Sequence, residues 1–172
     1  MKQYFKDKVV VVTGASSGIG EALAREFAAE GGRVVLGARS LQKLQHIVDE
    51  IRAQGGQAAC CAVDVTRPEE CRELIATAVR EFGGVDILLC NAGISMRALF
   101  DDVELDVLHR LMDVNFWGTV YCCKYALPYL QAPLLPLPLL AIAILTFLSA
   151  SRRWPACTAC RDVRAIRPRS TP

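Results

Sequence analysis

The chain has 172 residues, 52% of them hydrophobic, and a formal net charge of +2 at pH 7. This length predicts one domain that can bury a sizeable core. The charge divides unevenly, because residues 1–131 carry 14 Lys and Arg against 17 Asp and Glu, while residues 132–172 carry six Arg against one Asp. The slightly acidic balance of residues 1–131 gives no indication of a nucleic-acid-binding surface.

The amino-terminal residues 1–8 are charged and contain no apolar run long enough for a signal peptide. We therefore expect a cytoplasmic protein. The eight cysteines are scattered without a secretory context, so most of the first six are expected to act as small buried hydrophobes. Cys157 and Cys160 form a C-x-x-C, but a zinc site needs two further ligands and no histidine follows His109, so no metal is expected.

Strand-like and helix-like runs alternate up to about residue 131, which is typical of β-α-β units with a parallel sheet. Four strands are predicted, at residues 8–13, 33–37, 57–63 and 85–89. Four helices are predicted, at residues 18–30, from Ser40 as N-cap to Gly55-Gly56, from Pro68 to Gly83-Gly84, and at 103–129. Right-handed crossovers then give a doubly wound sheet in the order 3-2-1-4, with the carboxyl ends of strands one and four at the topological switch point.

Helical spacing identifies the core-facing side of two of these helices. In the second helix, the apolar residues recur at intervals of three, four and three, and they are Leu41, Leu44, Val48 and Ile51. In the third helix, the residues expected to face inward are Cys71, Leu74, Ile75, Ala78 and Phe82. Each set predicts a stripe that packs against the sheet.

The first strand runs directly into the octapeptide Thr13–Gly20, TGASSGIG, which opens the first helix. Glycines allow a backbone to approach a pyrophosphate closely, and a helix N-terminus offers unpaired N–H groups and the positive end of a dipole. The spacing G-x-x-x-G-x-G in this strand–turn–helix context resembles the short-chain dehydrogenase/reductase family. The alternative is a glycine-rich turn between two core elements.

The resemblance implies a loop that contacts the phosphates of a dinucleotide through backbone amides and serine hydroxyls. The residues concerned are Gly14, Ser16, Ser17, Gly18, Ile19 and Gly20. Ser17 has a second interpretation as the cap of the first helix, and the two roles are compatible.

In the family that the chain resembles, the residues after the second strand decide whether NAD or NADP is preferred. NAD-preferring members of the family place an acidic residue there to bind the ribose hydroxyls, whereas this chain has Arg39 and Ser40. A guanidinium can bind a phosphate with two hydrogen bonds, and no carboxylate repels that phosphate. We therefore expect NADP rather than NAD as the cofactor, the alternative being that Arg39 is only a solvated charge.

Two further segments resemble cofactor-binding signatures of the family. Asp64 and Val65 close the third strand, where the family hydrogen-bonds the adenine amino group, although an Asp that caps a loop is also an ordinary finding. Asn91, Ala92 and Gly93 follow the fourth strand and resemble the family's Asn-Ala-Gly signature. The small residues leave room for the cofactor, and the Asn side chain can join neighbouring strands.

Asn115 is the catalytic candidate. It lies three, four and seven residues after Met112, Leu111 and Leu108, which puts a polar amide on the apolar face of the last predicted helix. A buried amide needs hydrogen-bonding partners. The resemblance makes Asn115 the first member of an Asn-Ser-Tyr-Lys tetrad, in which it holds a water of the proton relay. A structural Asn with satisfied hydrogen bonds is the alternative.

The serine and the Tyr-x-x-x-Lys of that tetrad have no counterpart after the fourth predicted strand. No tyrosine follows Tyr129 and no lysine follows Lys124, and Tyr121 and Lys124 have one residue too few between them. In the family, the tyrosine transfers the substrate proton and the lysine lowers the pKa of that tyrosine. The chain is therefore expected to be catalytically incomplete.

Residues 132–172 differ in composition from the rest of the chain. Ala132–Pro138 contains three prolines, which exclude a regular helix or central strand. Two alternatives for the apolar run that follows are an edge strand at Ile142–Leu148, with Ser149 or Ser151 near the place of the missing serine, and a membrane span. We expect instead an irregular tail that looks like the product of a shifted reading frame or a read-through exon.

These observations predict an α/β protein with a doubly wound parallel sheet of the Rossmann type, truncated after about four strands. Residues 1–131 are expected to form the NADP-binding half of a short-chain dehydrogenase, and residues 132–172 the tail. The resemblance implies NADP-dependent hydride transfer between a small carbonyl compound and an alcohol, in a homo-oligomer when the family member is intact. Two other functions stay open, namely a non-catalytic NADP-binding module and a truncated product without stable function.

Overall fold

The computed structural model describes residues 5–130, which form one parallel β-sheet flanked by helices. The strands are β1 (Val9–Thr13), β2 (Arg33–Ala38), β3 (Gln57–Ala62) and β4 (Ile87–Leu89). Their spatial order is β3-β2-β1-β4, and all of these pairings are parallel. The predicted doubly wound α/β fold and the predicted strand order are therefore confirmed, although β4 begins at Ile87, two residues later than predicted.

Helices connect the strands and follow the last one. They are α1 (Gly18–Ala29), α2 (Leu41–Ala53), α3 (Pro68–Phe82), α4 (Leu105–Met112) and α5 (Gly118–Leu130), with a single 3₁₀ turn at Phe100–Asp102 and a π-helical turn at Asp113–Trp117. Pro68 is the first residue of α3, where its missing N–H has no helical partner to lose. Gly83 ends α3 in the left-handed region with a φ of 88°, a conformation that favours glycine.

The sheet separates two apolar cores, because successive residues of a strand point to opposite faces. Val9 and Val11 face the core that contains residues of α3 and α5. Val10 and Val12 face the core that contains residues of α1 and α2. The valine run of β1 is therefore buried on both sides, as is typical of a central strand in a parallel sheet.

The predicted stripe of α2 is partly wrong. Leu44, Val48 and Ile51 are buried as predicted, but Leu41 is 49% exposed and Ile47 is buried instead. Leu41 is the first residue of α2, and the described residues leave that end of the helix uncovered. The predicted stripe of α3 is confirmed, with four residues buried and one partly buried, namely Cys71, Leu74, Ile75, Ala78 and Phe82.

The single helix predicted at residues 103–129 is instead α4, a π-helical turn and α5 in succession. A π turn closes i→i+5 hydrogen bonds, so the α-helical spacing does not hold through it. Of the residues on the predicted apolar face, Leu108 and Leu111 are half-buried and Met112 is 49% exposed within the described residues. No residue of α4 is buried by the part of the chain that the structure describes.

Several expectations fall outside the described residues. They are the boundary at residue 131, the irregular tail, the edge strand at 142–148 with Ser149 or Ser151, the membrane span, and the C-x-x-C at Cys157 and Cys160. Between residues 5 and 130, no helix combines the length and the apolar character needed to cross a bilayer.

Candidate functional site

A cleft of about 880 Å³ opens at the carboxyl ends of the strands, where the neighbouring strands β1 and β4 end. Ten of the residues predicted to bind a cofactor line it, and they are Gly14, Ser16, Ser17, Arg39, Ser40, Asp64, Val65, Asn91, Ala92 and Gly93. These residues come from four separate turns along the chain. The parallel topology therefore gathers them at one edge of the sheet, where open α/β sheets bind their ligands.

The cleft has two sides of different origin. We call the strand-end side, formed by Gly14 and Asn91–Gly93, the strand wall, and the side formed by Arg110, Asp113 and Val114 the helix wall. Sequence reasoning missed all three residues of the helix wall. It also missed five other lining residues, namely Ala38, Lys43, Val63, Thr66 and Ile94. Four predicted site residues are not among the lining residues, and they are Gly18, Ile19, Gly20 and Asn115.

Two glycines of the first turn are required by close packing against the residues that follow β4. Gly14 has a φ of +65°, and a Cβ built there would lie 2.8 Å from Cα and 2.9 Å from N of Ala92. A Cβ at Gly20 would collide with Nδ2 of Asn91 and with the carbonyl oxygen of Gly14. The glycines therefore let the turn lie directly against the residues that follow β4.

The start of α1 offers unpaired backbone groups to an anion. Ser17 is the N-cap residue, with an extended φ of −170°, but within residues 5–130 its side chain makes no capping hydrogen bond. Glu21 in the first turn is paired with Arg25 at 2.9 Å, which reduces its repulsion of an anion. The N-cap residue Ser17 lines the cleft, so α1 begins beside it, and the unpaired N–H groups and positive dipole end of a helix start fit a pyrophosphate.

A buried hydroxyl fastens the ends of β1 and β4 together. Thr13 Oγ1 accepts the N–H groups of Asn91 and Ala92, both at 3.0 Å, and donates to the carbonyl of Leu89 at 3.4 Å. The Asn91 side chain donates through Nδ2 to the carbonyls of Thr13 and Gly14, both at 3.2 Å. Sequence reasoning missed Thr13 as a site residue. The sequence pattern that could have identified it is a polar residue at the end of an otherwise apolar strand, because a buried hydroxyl needs hydrogen-bonding partners.

The turn after β2 brings two cations to the cleft. Arg39 and Lys43 are exposed and line it together with Ser40, the N-cap residue of α2. Among the described residues, neither cation has an acidic partner within salt-bridge distance. The first turn of α2 also contains no acidic residue, so two cations and a helix N-terminus lie at this corner of the cleft, with the Asp64 carboxylate near Arg39.

Asp64 caps its own loop inside the cleft. Its Oδ1 accepts the Thr66 N–H at 3.0 Å and the Thr66 hydroxyl at 2.8 Å. Burial raises the pKa of the Asp64 carboxyl, but the two hydrogen bonds from Thr66 and the nearby charges of Arg39 and Arg67 outweigh burial and lower that pKa overall. Asp64 is therefore ionised at neutral pH and is held in one orientation beside the cleft.

Asn115 lies within the π-helical turn and makes two hydrogen bonds to one residue. Its Oδ1 accepts the Ile94 N–H and its Nδ2 donates to the Ile94 carbonyl, both at 2.9 Å. The amide thus fastens the segment that follows β4 to the helices. Its predicted role in a proton relay stays a prediction, since the side chain is engaged with Ile94 and does not line the cleft.

The family model for short chain dehydrogenases matches residues 8–133 of the sequence. The chain belongs to the short-chain dehydrogenase family. Members of this family are oxidoreductases that bind a nicotinamide dinucleotide. The glycine turn, the strand wall and the uncapped start of α1 fit such a ligand. In such oxidoreductases the nicotinamide carries the hydride, and the protein supplies binding and orientation.

Relatives of known sequence extend beyond the matched region. The chain is 42% identical over 126 residues to 11-beta-hydroxysteroid dehydrogenase A of Sesamum indicum, a match that covers 72% of this chain and 36% of the relative. It is 42% identical over 122 residues to an uncharacterized oxidoreductase of Staphylococcus aureus, covering 71% of this chain and 52% of the relative. The chain therefore spans about a third to a half of these relatives.

Solved structures give the same family. A short-chain type dehydrogenase/reductase from Mycobacterium marinum superposes with a TM-score of 0.71 at 34% identity, covering 75% of this chain and 52% of the other. An alcohol dehydrogenase from Thermococcus sibiricus, complexed with 5-hydroxy-NADP, superposes with a TM-score of 0.70 at 35% identity, covering 72% of this chain and 53% of the other. Within residues 5–130, no cluster of three or more His, Cys, Asp or Glu side chains is arranged to hold a metal ion.

Proposed function

We propose that this chain binds NADP(H) in the cleft and that its 172 residues do not by themselves complete the carbonyl–alcohol reaction of the family. The observation that supports NADP most strongly is the charge at the end of β2. Arg39 and Lys43 both line the cleft there, and residues 37–40 contain no carboxylate. A phosphate monoester carries close to two negative charges at neutral pH, so it complements a pair of cations.

The start of α2 gives a second reason to expect the 2′-phosphate of NADP rather than the ribose hydroxyl of NAD. The start of α2 has no acidic side chain in its first turn, and its N-cap residue Ser40 makes no capping hydrogen bond to the described residues. Unpaired N–H groups and a helix dipole stabilise an anion at such a position. A charge-assisted contact of this kind contributes about 1.5–3 kcal/mol, which corresponds to about tenfold or more in affinity.

The proposed lack of turnover follows from the chemistry of hydride transfer. Delivery of a hydride to a carbonyl creates an alkoxide that must take up a proton. A positioned general acid contributes about 10²–10⁴-fold to the rate of such a step. The amide of Asn115 cannot donate a proton near neutral pH, and the sequence has no Tyr-x-x-x-Lys after β4. We therefore propose a dinucleotide-binding chain with residues 1–131 as its binding part.

Turnover assays on the purified 172-residue chain test this proposal. With NADPH and a panel of ketones and aldehydes, or NADP⁺ and the matching alcohols, we expect no oxidation or reduction above a blank. Robust turnover by a preparation free of contaminating dehydrogenase would contradict the proposal. Aggregation without cofactor binding would instead favour a product without stable function.

A chimera sharpens the same test. Replacing residues 132–172 with the carboxyl-terminal half of an active family member, which supplies Ser and Tyr-x-x-x-Lys, should restore NADP-linked turnover. Asn115→Ala in that chimera should then lower kcat if Asn115 has the relay role predicted from the sequence. If the chimera binds NADP(H) and its kcat is the same with and without Asn115→Ala, the relay role is wrong and Asn115 only fastens the Ile94 segment.

A further inference from the structure

The helix α5 carries apolar side chains on both of its sides, although the described residues cover one side. Its thirteen residues include a single charged residue, Lys124. The buried residues recur at every fourth position on the side that faces the sheet, and they are Gly118, Cys122 and Ala126. A helix that is hydrophobic all round is one that is buried all round. The opposite side of α5 therefore lacks a partner among residues 5–130.

The uncovered side begins in the π-helical turn and continues along α5. The rings of Phe116 and Trp117 meet edge to face with their centroids 5.3 Å apart, and Trp117 stacks on Tyr121 at 5.9 Å. Val120 lies three residues after Trp117 and Leu127 seven after Val120, spacings that place side chains next to one another on a helix. We call Phe116, Trp117, Val120 and Leu127 the outer face of α5. Phe116 is 46% exposed and Leu127 is 54% exposed within residues 5–130, so this apolar face is left open there.

An uncharged apolar run follows α5 in the sequence. Residues 132–150 contain no charged side chain, and ten of these nineteen residues are Leu, Ile or Phe. The part richest in large apolar residues is 139–148, with the sequence LLAIAILTFL. The intervening residues 131–138 span about 25 Å when extended, at roughly 3.3 Å per residue. Because α5 is about 20 Å long, this tether allows residues 139–148 to reach the whole outer face.

We propose that residues 139–148 pack on the outer face of α5 within the same molecule. The contact removes apolar area from water on both partners, which is the main driving force for association. It buries no charge, because the run carries none and Lys124 can keep its ammonium group in water while its stem lies along the contact.

The short tether favours the run of the same chain over a second copy as the occupant. A segment linked by a few residues has an effective concentration in the millimolar range, whereas a second copy in a purified sample is present at micromolar concentration. The run therefore occupies the outer face before another molecule does. We expect the chain not to dimerise through this face.

Photo-crosslinking of the full chain tests the contact. The probe p-benzoylphenylalanine replaces Phe116, which lies at the far end of the outer face from the run, so nearness in sequence does not by itself produce a link. The matched control carries the same probe in place of Leu41, which is 49% exposed at the start of α2 on the other side of the sheet. After irradiation and digestion, we expect position 116 joined to residues 139–148 and position 41 not joined to them. A probe at 116 that forms no link to this run, or links no more often than the probe at 41, would overturn the proposal.

Isotope mixing separates a contact within one molecule from a contact between two copies. Equal amounts of ¹⁵N-labelled and unlabelled chain, both with the probe at position 116, are irradiated together. We expect linked peptides in which both partners carry the same isotope. Linked peptides of mixed isotope would assign the outer face to a second copy and would overturn the proposal.

Tryptophan fluorescence gives a second measurement with the outer face unaltered. The chain has two tryptophans, so Trp154→Phe leaves Trp117 of the outer face as the reporter. In that background, Ile144→Asp combined with Leu148→Asp places two charges in the run and should release it from the face. We expect the emission of Trp117 to shift to longer wavelength and its quenching by acrylamide to increase.

Two acidic substitutions outside the run are the matched control. Ala156→Asp combined with Thr158→Asp adds the same charge to the same part of the chain and should leave the emission and quenching of Trp117 unchanged. Identical emission and quenching in the two double variants would contradict the proposed packing. The crosslinking experiment retains the native sequence of residues 132–172, so it decides the proposal even if an aspartate variant fails to fold.

Discussion

The two walls of the cleft are stabilised in different ways. The strand wall is held by a buried hydroxyl, an asparagine amide and two glycines that permit direct backbone contact. The helix wall is fastened through the two hydrogen bonds between Asn115 and Ile94, and no residue of α4 is buried within the described part of the chain. The strand wall is thus held by backbone packing and a buried hydrogen-bond network. The helix wall is held by the Asn115 amide and by Val114, which packs against the core while only partly buried.

Gly14→Ala should have the largest effect on the strand wall. A Cβ at this position adds the strain of a positive φ to a collision with the Ala92 backbone, so we expect a loss of about 2–4 kcal/mol in the free energy of unfolding. Chemical denaturation followed by circular dichroism measures this loss in the free energy of unfolding.

Gly55→Ala is the matched control for that prediction. Gly55 also has a positive φ, but a Cβ there meets nothing within 4 Å in the described residues. The control should lose only the strain contribution, about 1–2 kcal/mol. Equal losses for the two variants would mean that the contact of Gly14 with Ala92 does not hold the strand wall together.

Thr13→Val should have the next largest effect. The substitution keeps the shape of the side chain but leaves the Ala92 N–H without its partner and weakens the hold on Asn91, so we expect a loss of about 1–3 kcal/mol. Thr77→Val is the control, because Thr77 is also buried but accepts a hydrogen bond from the exposed Arg80, which can turn to water. A loss as small as that of Thr77→Val would contradict the proposed fastening of β1 to β4.

Asn115→Ala tests the fastening of the helix wall. Two half-buried hydrogen bonds are removed, and we expect a loss of about 1–2 kcal/mol together with faster amide hydrogen exchange around Ile94. Thr119→Ala is the control, because among the described residues the Thr119 hydroxyl bonds only to the Asn115 carbonyl in the adjoining turn. Unchanged exchange near Ile94 would show that the helix wall is held by other contacts.

The smallest effect is expected on α4. Leu105 is 69% exposed, so Leu105→Ser should change the free energy of unfolding by no more than about 0.5 kcal/mol. Denaturation of the full 172-residue chain measures it. A loss of more than about 2 kcal/mol would show that another part of the chain, or a second copy, covers this helix.

The sheet could be predicted because its information is local. Apolar runs bounded by glycines mark the strands, and the handedness of parallel crossovers leaves little choice of order. The cleft residues on the strand ends could be predicted for the same reason, since each one lies in the segment that follows a strand. Lys43 was missed because only the folded turn of α2 brings it to the cleft.

The helix wall could not be predicted with the same success. The π-helical turn inserts one residue into a regular pattern, and the α-helical spacing on which Asn115 was placed does not extend through it. The Asn115 amide bonds to the backbone of Ile94, and a backbone partner cannot be identified from residue types because every residue carries the same groups.

Calorimetric titration of the purified chain with NADP⁺ and with NAD⁺ tests the central proposal most directly. Because Arg39 and Lys43 present positive charge where a 2′-phosphate would lie, NADP⁺ should bind about tenfold or more tightly than NAD⁺. Arg39→Asp should narrow or reverse the difference, while Arg72→Asp, the same charge change on the exposed side of α3, should leave it intact. Equal affinity of the wild-type chain for the two dinucleotides would contradict the proposed specificity.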